Sequence, residues 1–164
     1  KAGGVYAAWQ LVYDFVVLPD GRIDTWLSIT GVKLAAAGLS FVGWEIETAG
    51  RFIACAGNRG VEIQNGCNGM ELLGLYAGFI IAYSGDAKKR LMFIAGGIGM
   101  LFIANVFRIA FFALSNLYYP QYWDPVHYYS SYVFFYPIVL TLWYLWTILS
   151  DHTDIFSGAS LSSA

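Results

Sequence analysis

The stretch KKRLMFIAGGIGMLFIANVFRIAFFALSNLYY, residues 88–119, opens with three consecutive cations and then carries a single charge, Arg108, through its remaining 29 residues. A run this long and apolar exceeds the ~20 residues a helix needs to cross a bilayer. The positive-inside bias places Lys88, Lys89 and Arg90 in the cytoplasm. Arg108 lies 18 residues beyond Arg90, and at 1.5 Å per residue that is roughly 27 Å of helix, most of the ~30 Å hydrocarbon thickness. Arg108 is therefore expected in the outer leaflet, where an intramembrane guanidinium needs a partner or a water-filled cavity.

The rest of the chain agrees with a membrane setting. Hydrophobic residues make up 58% of the 164 and charged residues 12%, with a mean hydropathy of +0.56, which leaves too little polar surface for a soluble domain of this size. The abundant Tyr and Trp suit two membrane–water interfaces. A net charge of −2, without a basic run or an RNA-type aromatic motif, gives no sign of a nucleic-acid partner. Two cysteines cannot build a disulfide framework, and no Cys or His pair has zinc-site spacing. No metal or other cofactor is expected.

Working outward from residues 88–119 gives five apolar segments. Residues 5–18 end at Pro19-Asp20-Gly21, a turn signal, and are short for a span. The sequence opens at Lys1 rather than Met, so this first segment is expected to be a truncated helix. Residues 25–44 are long enough to cross and contain Lys33. Residues 69–84 include Gly74 and Gly78, a small-xxx-small spacing that lets helices approach closely. Residues 91–119 and 132–149 complete the set, and residues 150–164, rich in Ser and Ala, are expected to be a disordered tail. The expected architecture is an all-α polytopic membrane protein of about five transmembrane helices, with one integral-membrane catalytic domain over residues 1–149.

Between the second and third segments lies a polar stretch, residues 45–68, that reads as a β-hairpin. Phe52, Ala54 and Ala56 alternate with Arg51, Ile53 and Cys55; Gly57-Asn58-Arg59-Gly60 turns the chain; Val61 and Ile63 then alternate with Glu62 and Gln64. The hairpin leads into Asn65-Gly66-Cys67-Asn68-Gly69, a tight turn that delivers Cys67 to the start of the third helix, where free N–H groups and the helix dipole favour an anion. Gly66 and Gly69 allow close approach to the sulfur and supply N–H groups for an oxyanion hole. Loop charge puts this stretch, and the cation-free loop of residues 118–131 that holds His127, on the extracytoplasmic side with Arg108.

A thiol, a guanidinium and an imidazole on one membrane face are the parts of covalent acyl transfer. Cys67 is the candidate nucleophile, with a buried structural thiol as the alternative. A Cys55–Cys67 disulfide would remove the nucleophile; Cys55, mid-strand, reads as packing. Asn105 and Arg108, at i and i+3 on one helix face, read as an oxyanion-stabilising pair in which Asn105 orients the guanidinium. The alternative for Arg108 is an ion pair with Glu71, one turn into the third helix. His127 is the candidate acid/base, able to take the thiol proton and return it to a leaving amine. His152 falls in the predicted cytoplasmic tail. Gln10 and Asp14, with Lys33, read as helix glue or as the lining of a path.

In this order, the turn around Cys67, Asn105-Val106-Phe107-Arg108 and His127 at the start of a late span resemble the exosortase/archaeosortase signature over residues 25–149. The resemblance implies a membrane-embedded cysteine transpeptidase or protease of bacterial or archaeal cytoplasmic membranes. Its implied substrates are proteins with a C-terminal sorting signal made of a short motif, a transmembrane helix and a basic cluster. By carry-over Cys67 is the nucleophile, His127 the acid/base and Arg108 the transition-state stabiliser, with an amine, a lipid-linked group or water as acceptor. The short length and the hairpin look like the compact branch of the Bacteroidetes group. Asn68 stands where the family commonly has Ser after the cysteine, and Ser131 where it commonly has Gly four residues after the histidine.

Two non-enzymatic readings compete. Asp14, Lys33, Glu71 and Arg108 could line the polar path of a small transporter or channel subunit, although no inverted internal symmetry is visible. The small-xxx-small face could instead recruit a partner helix in a membrane assembly scaffold.

Overall fold

In the computed structural model, which describes the backbone of residues 2–158 and the side chains of residues 3–150, the apolar runs become helices and the polar stretch becomes a small sheet. α1 (Ala2–Val12), a π-helical turn (Tyr13–Val17) and α2 (Leu18–Asp20) follow without interruption. Gly21, at φ 63°, ends this helix in the left-handed conformation that glycine adopts at lowest cost. α3 (Arg22–Phe41) follows directly. After the sheet come α4 (Met70–Ala82) and α5 (Ala87–Tyr118), an unbroken helix of 32 residues. Its N-cap Asp86 accepts a hydrogen bond from the Lys89 backbone N–H at 3.0 Å, and it stops just before Pro120. A 3-10 turn (Pro120–Tyr122) leads to α6 (Trp123–Phe134), a turn at Phe135 and α7 (Tyr136–Gly158).

The sheet has one strand more than the expected hairpin: β1 (Ile46–Ala49), β2 (Phe52–Cys55) and β3 (Val61–Glu62) pair antiparallel in that order. Phe52 faces Glu62 and Ile53 faces Val61, as a hairpin turning at residues 57–60 requires, while Ile46 pairs with Cys55 and Ala49 with Phe52. β1 lies at the edge and is mostly exposed, so it carries no alternation of apolar and polar residues by which the sequence could announce it. The Asn116 side chain donates to the Arg59 carbonyl, tying the β2–β3 turn to the far end of α5.

Two buried clusters organise the molecule. One joins the sheet to α3 and α5 through Ile53, Val61, Val32, Leu39, Ile109 and Phe112. The other joins α4, α5 and α7 through Tyr76, Ile80, Leu101, Phe135, Val139 and Trp146. The small-xxx-small face of α4 is used inside the chain: a Cβ on Gly74 would fall 2.0 Å from the Trp9 ring, and one on Gly78 would fall 2.9 Å from Val5. α1 covers that face, which leaves it unavailable to the partner helix of a scaffold.

By length and hydropathy two helical stretches, Ala87–Tyr118 and Pro120–Ser150, are fit to cross a membrane, and Met70–Ala82 is apolar but shorter. Among the described residues two of the five expected spans are thus supported; α3 has 20 residues but carries Arg22, Asp24 and Lys33. The last segment begins earlier than expected, at Pro120, and is broken at Phe135. The expected tail boundary at Ser150 falls inside α7; the side chains beyond it, His152 included, and residues 159–164 lie outside the described residues.

Candidate active site

Cys67 and His127 meet. The Cys67 sulfur lies 3.6 Å from His127 Nε2, within hydrogen-bond range for a thiol and an imidazole. Cys67 is half-buried in the turn before α4, three residues ahead of the first helical residue, and its N–H donates to the Gln64 carbonyl at 3.1 Å. His127 lies in the second turn of α6 with its ring packed against both Phe112 and Trp123, whose centroids are each 5.7 Å away and 5.4 Å from one another. Aromatic stacking fixes the imidazole plane. Among the described residues no side chain is hydrogen-bonded to its Nδ1, so this is a pair without the third carboxylate member of a triad.

Arg108 completes the cluster by a route the sequence did not suggest. Its Nη1 donates to the Cys67 carbonyl oxygen at 2.9 Å and its Nε to Ser130 Oγ at 2.9 Å. The Ser130 hydroxyl in turn donates to the His127 carbonyl at 2.8 Å. The guanidinium sits 4.7 Å from the Phe112 centroid and 5.3 Å from that of Phe135, which belong to the two different buried clusters. At 4% exposure the cation is held by aromatic faces and neutral oxygens rather than by an anion. The alternative ion pair with Glu71 is not among the ion pairs of the described residues: Glu71 lines the cavity that Arg108 also lines, and its backbone carbonyl accepts from Trp9 Nε1 at 2.9 Å.

The supporting residues take different places from those expected. Asn68 is buried and turned away from the sulfur, its Nδ2 donating to the Asp24 carboxylate at 2.8 Å and to the Asp24 carbonyl at 2.9 Å. Its Oδ1 accepts the Met70 N–H at 3.0 Å, which ties the turn to the first residue of α4. Gly66, at φ 82°, directs its N–H to Asp24 at 3.4 Å, which removes it from the expected oxyanion hole. Gly69, at φ 83°, lies close against Asn105, whose Cγ is 3.9 Å from where a glycine Cβ would stand. Asn105 is 1% exposed, and neither polar atom of its side chain has a hydrogen-bond partner. It therefore does not orient Arg108 by hydrogen bonding. Cys55 is buried and unpaired with its sulfur 3.9 Å from the Ala113 carbonyl, and burial pushes its thiol up from the ordinary cysteine range. The alternative disulfide is absent.

Asp24, Tyr13 and Ser130 are site residues that the sequence reading passed over. An acid at the head of an apolar helix was the available signal for Asp24, and a serine one helical turn after His127 was that for Ser130.

Two cavities border the Cys67 turn, and Cys67 itself lines the first. One, about 240 Å³, is lined by Cys67, His127, Trp123 and residues 61–64 beside the sheet. The other, about 260 Å³, is lined by Arg108, Gly66, Gly69, Glu71, Tyr6 and Leu75 among others. Tyr6 and Leu75 also line a third, apolar groove of about 360 Å³ between α1, α4 and α7. Of the four charges proposed for a transport path, Glu71 and Arg108 share a cavity, whereas Lys33 and Asp14 are exposed and Asp14 accepts from Gln10 at 3.2 Å. Among the described residues no group of His, Cys, Asp or Glu side chains is arranged to hold a metal ion.

No curated protein and no solved structure matches the chain. The family model described as transmembrane exosortase matches residues 5–144, a range that takes in the Cys67 turn, Asn105, Arg108 and His127. The match covers most of the chain, and two of its helical stretches are long and apolar enough to cross a membrane. This integral-membrane chain therefore belongs to the transmembrane exosortase family, at the level of a membrane-embedded protein-sorting transpeptidase.

Proposed function

We propose that the chain cleaves and transfers proteins bearing a C-terminal sorting signal through an acyl-enzyme on Cys67. The single observation that carries this reading is the 3.6 Å approach of the Cys67 sulfur to His127 Nε2. His127 takes the thiol proton, and the thiolate attacks the scissile carbonyl carbon. As the C–N bond breaks, the imidazolium gives that proton to the departing amine, leaving a thioester. An acceptor, which is an amine, a lipid-linked group or water, then attacks the thioester. His127 takes the acceptor's proton, and the sulfur leaves as the thiol.

Arg108 serves this cycle twice. It holds the Cys67 carbonyl, and its Nη2, which carries no hydrogen bond among the described residues, is available to the carbonyl oxygen of a substrate lying in the adjoining cavity. The apolar groove that continues from that cavity through Tyr6 and Leu75 suits the substrate's transmembrane helix, with its outer end beside Cys67. The scissile bond has to lie near the membrane surface, because peptide groups deep in lipid stay locked in helical hydrogen bonds. The positive cluster of residues 88–90 at the opposite end of α5 supports an extracytoplasmic site.

Co-expression with proteins carrying a C-terminal helix and basic tail, followed by mass determination of their new C-termini, tests the proposal and identifies the acceptor. Cys67→Ala is expected to abolish processing while the protein remains folded and inserted. Normal processing by that variant refutes the reading.

A further inference from the structure

We infer that Asp24, buried beneath the Cys67 turn, is a positioning residue that holds the thiol in register with His127. The inference rests on the reading of Cys67 and His127 as the reacting pair. Cys67 is flanked by Gly66 and Gly69, both at positive φ. A turn with two such glycines has little stiffness of its own, so the sulfur's place must be imposed from outside it.

Arg108 grips the turn from one side at the Cys67 carbonyl, and Asp24 grips it from the other. A single carboxylate oxygen, Oδ1, accepts from Asn68 Nδ2 at 2.8 Å, from the Tyr13 hydroxyl at 3.2 Å and from the Gly66 N–H at 3.4 Å. The Asp24 backbone carbonyl takes a further bond from Asn68 at 2.9 Å. The residues on both sides of Cys67 are thus tied to the head of α3. Tyr13 reaches the carboxylate from the first residue of the π-helical turn, a local widening of the helix that recurs at functional positions.

Asp24 is 0% exposed, and no lysine or arginine pairs with it among the described residues. Burying a carboxylate without a cation is expensive. An apolar residue would fill the space but could not accept an N–H from the catalytic turn. The second oxygen, Oδ2, has no partner among the described residues, so the role requires an acceptor at Oδ1 and makes no use of the other oxygen.

The test measures alkylation of Cys67 by iodoacetamide near neutral pH on the full chain in detergent, located by mass spectrometry and normalised to folded protein by circular dichroism. This reading needs no substrate. In the wild type, His127→Ala is expected to slow Cys67 alkylation. Asp24→Ala is expected to slow it by about tenfold or more through misplacement of the sulfur, and His127→Ala added to Asp24→Ala is expected to cost nothing further, because the pairing is already lost. Asp24→Asn, which keeps Oδ1, is expected to stay within about threefold of wild type, a neutral acceptor being roughly half as strong as an ionised one.

A wild-type rate in Asp24→Ala, or Asp24→Ala and His127→Ala effects that multiply, would overturn the inference. So would an Asp24→Asn variant as slow as Asp24→Ala. Should Asp24→Ala not fold, Tyr13→Phe removes one donor to Oδ1 at nearly constant volume, and an unchanged coupling to His127 in that variant overturns the inference equally. If His127→Ala leaves the wild-type alkylation rate unchanged, the reacting pair itself fails, a different outcome from loss of its positioning.

Discussion

Replacing Arg108 with lysine keeps the positive charge and removes the fork. The guanidinium makes two directed bonds at 2.9 Å, from Nε to Ser130 and from Nη1 to the Cys67 carbonyl, and its plane lies near the Phe112 and Phe135 rings. A lysine ammonium on a flexible stem can follow one of these acceptors but cannot span both in the same geometry. The variant therefore loses one hydrogen bond to a charged group, about 1.5–3 kcal/mol. If the loss falls on the Cys67 carbonyl and is felt in full at the reacting thiol, the processing rate falls by up to about 10- to 150-fold. The assay follows appearance of the new C-terminus of a co-expressed substrate by mass over time, at matched amounts of folded enzyme. A drop in rate is the expected signature, accompanied by a Tm lowered by several degrees because the lost bond is made in the resting fold. An Arg108→Lys variant within about threefold of wild type would refute the claim that the fork geometry, rather than charge alone, serves the site.

Two further outcomes follow from packing and burial. Thiol labelling of the folded protein near neutral pH is expected at Cys67 and not at Cys55, whose buried thiol is pushed up and so offers little thiolate; comparable labelling of both would contradict that burial. Gly74→Ala places a Cβ 2.0 Å from the Trp9 ring, and is expected to destabilise the protein by about 1–3 kcal/mol through overpacking. Gly96→Ala, with open space around it, should leave Tm unchanged or slightly raised; equal Tm values for the two variants would refute the close approach of α1 and α4.

Much of the candidate site was legible because it depends on residue chemistry in chain order. Cys67, Arg108 and His127 each stand out as reactive or costly groups at the ends of apolar runs, and the helical rise fixes how far Arg108 lies from the basic loop. The partners of those groups were not legible. Glu71 is the nearest acid in sequence to the Cys67 turn, yet Arg108 turns to Ser130 and to a backbone carbonyl, because two aromatic rings and two neutral oxygens already surround it. Asn68 looked like a neighbour of the thiol from its place in the chain, but the left-handed glycines on either side of Cys67 send its side chain the opposite way, into α3. Asp24, passed over in the sequence, gains its place only because the fold buries it.

By itself the sequence determined the membrane setting, the main helices, the β2–β3 hairpin and which three side chains are candidates for the chemistry, since each of these follows from hydropathy, local turn preferences or the properties of a single residue. The edge strand β1, the covering of Gly74 and Gly78 by α1, and the grip of Asp24 and Arg108 on the Cys67 turn were decided by tertiary structure alone. Those features depend on which distant surfaces meet and which buried polar groups find one another. A linear pattern does not encode such pairings, because every buried acceptor in the chain is a candidate until packing leaves one within reach.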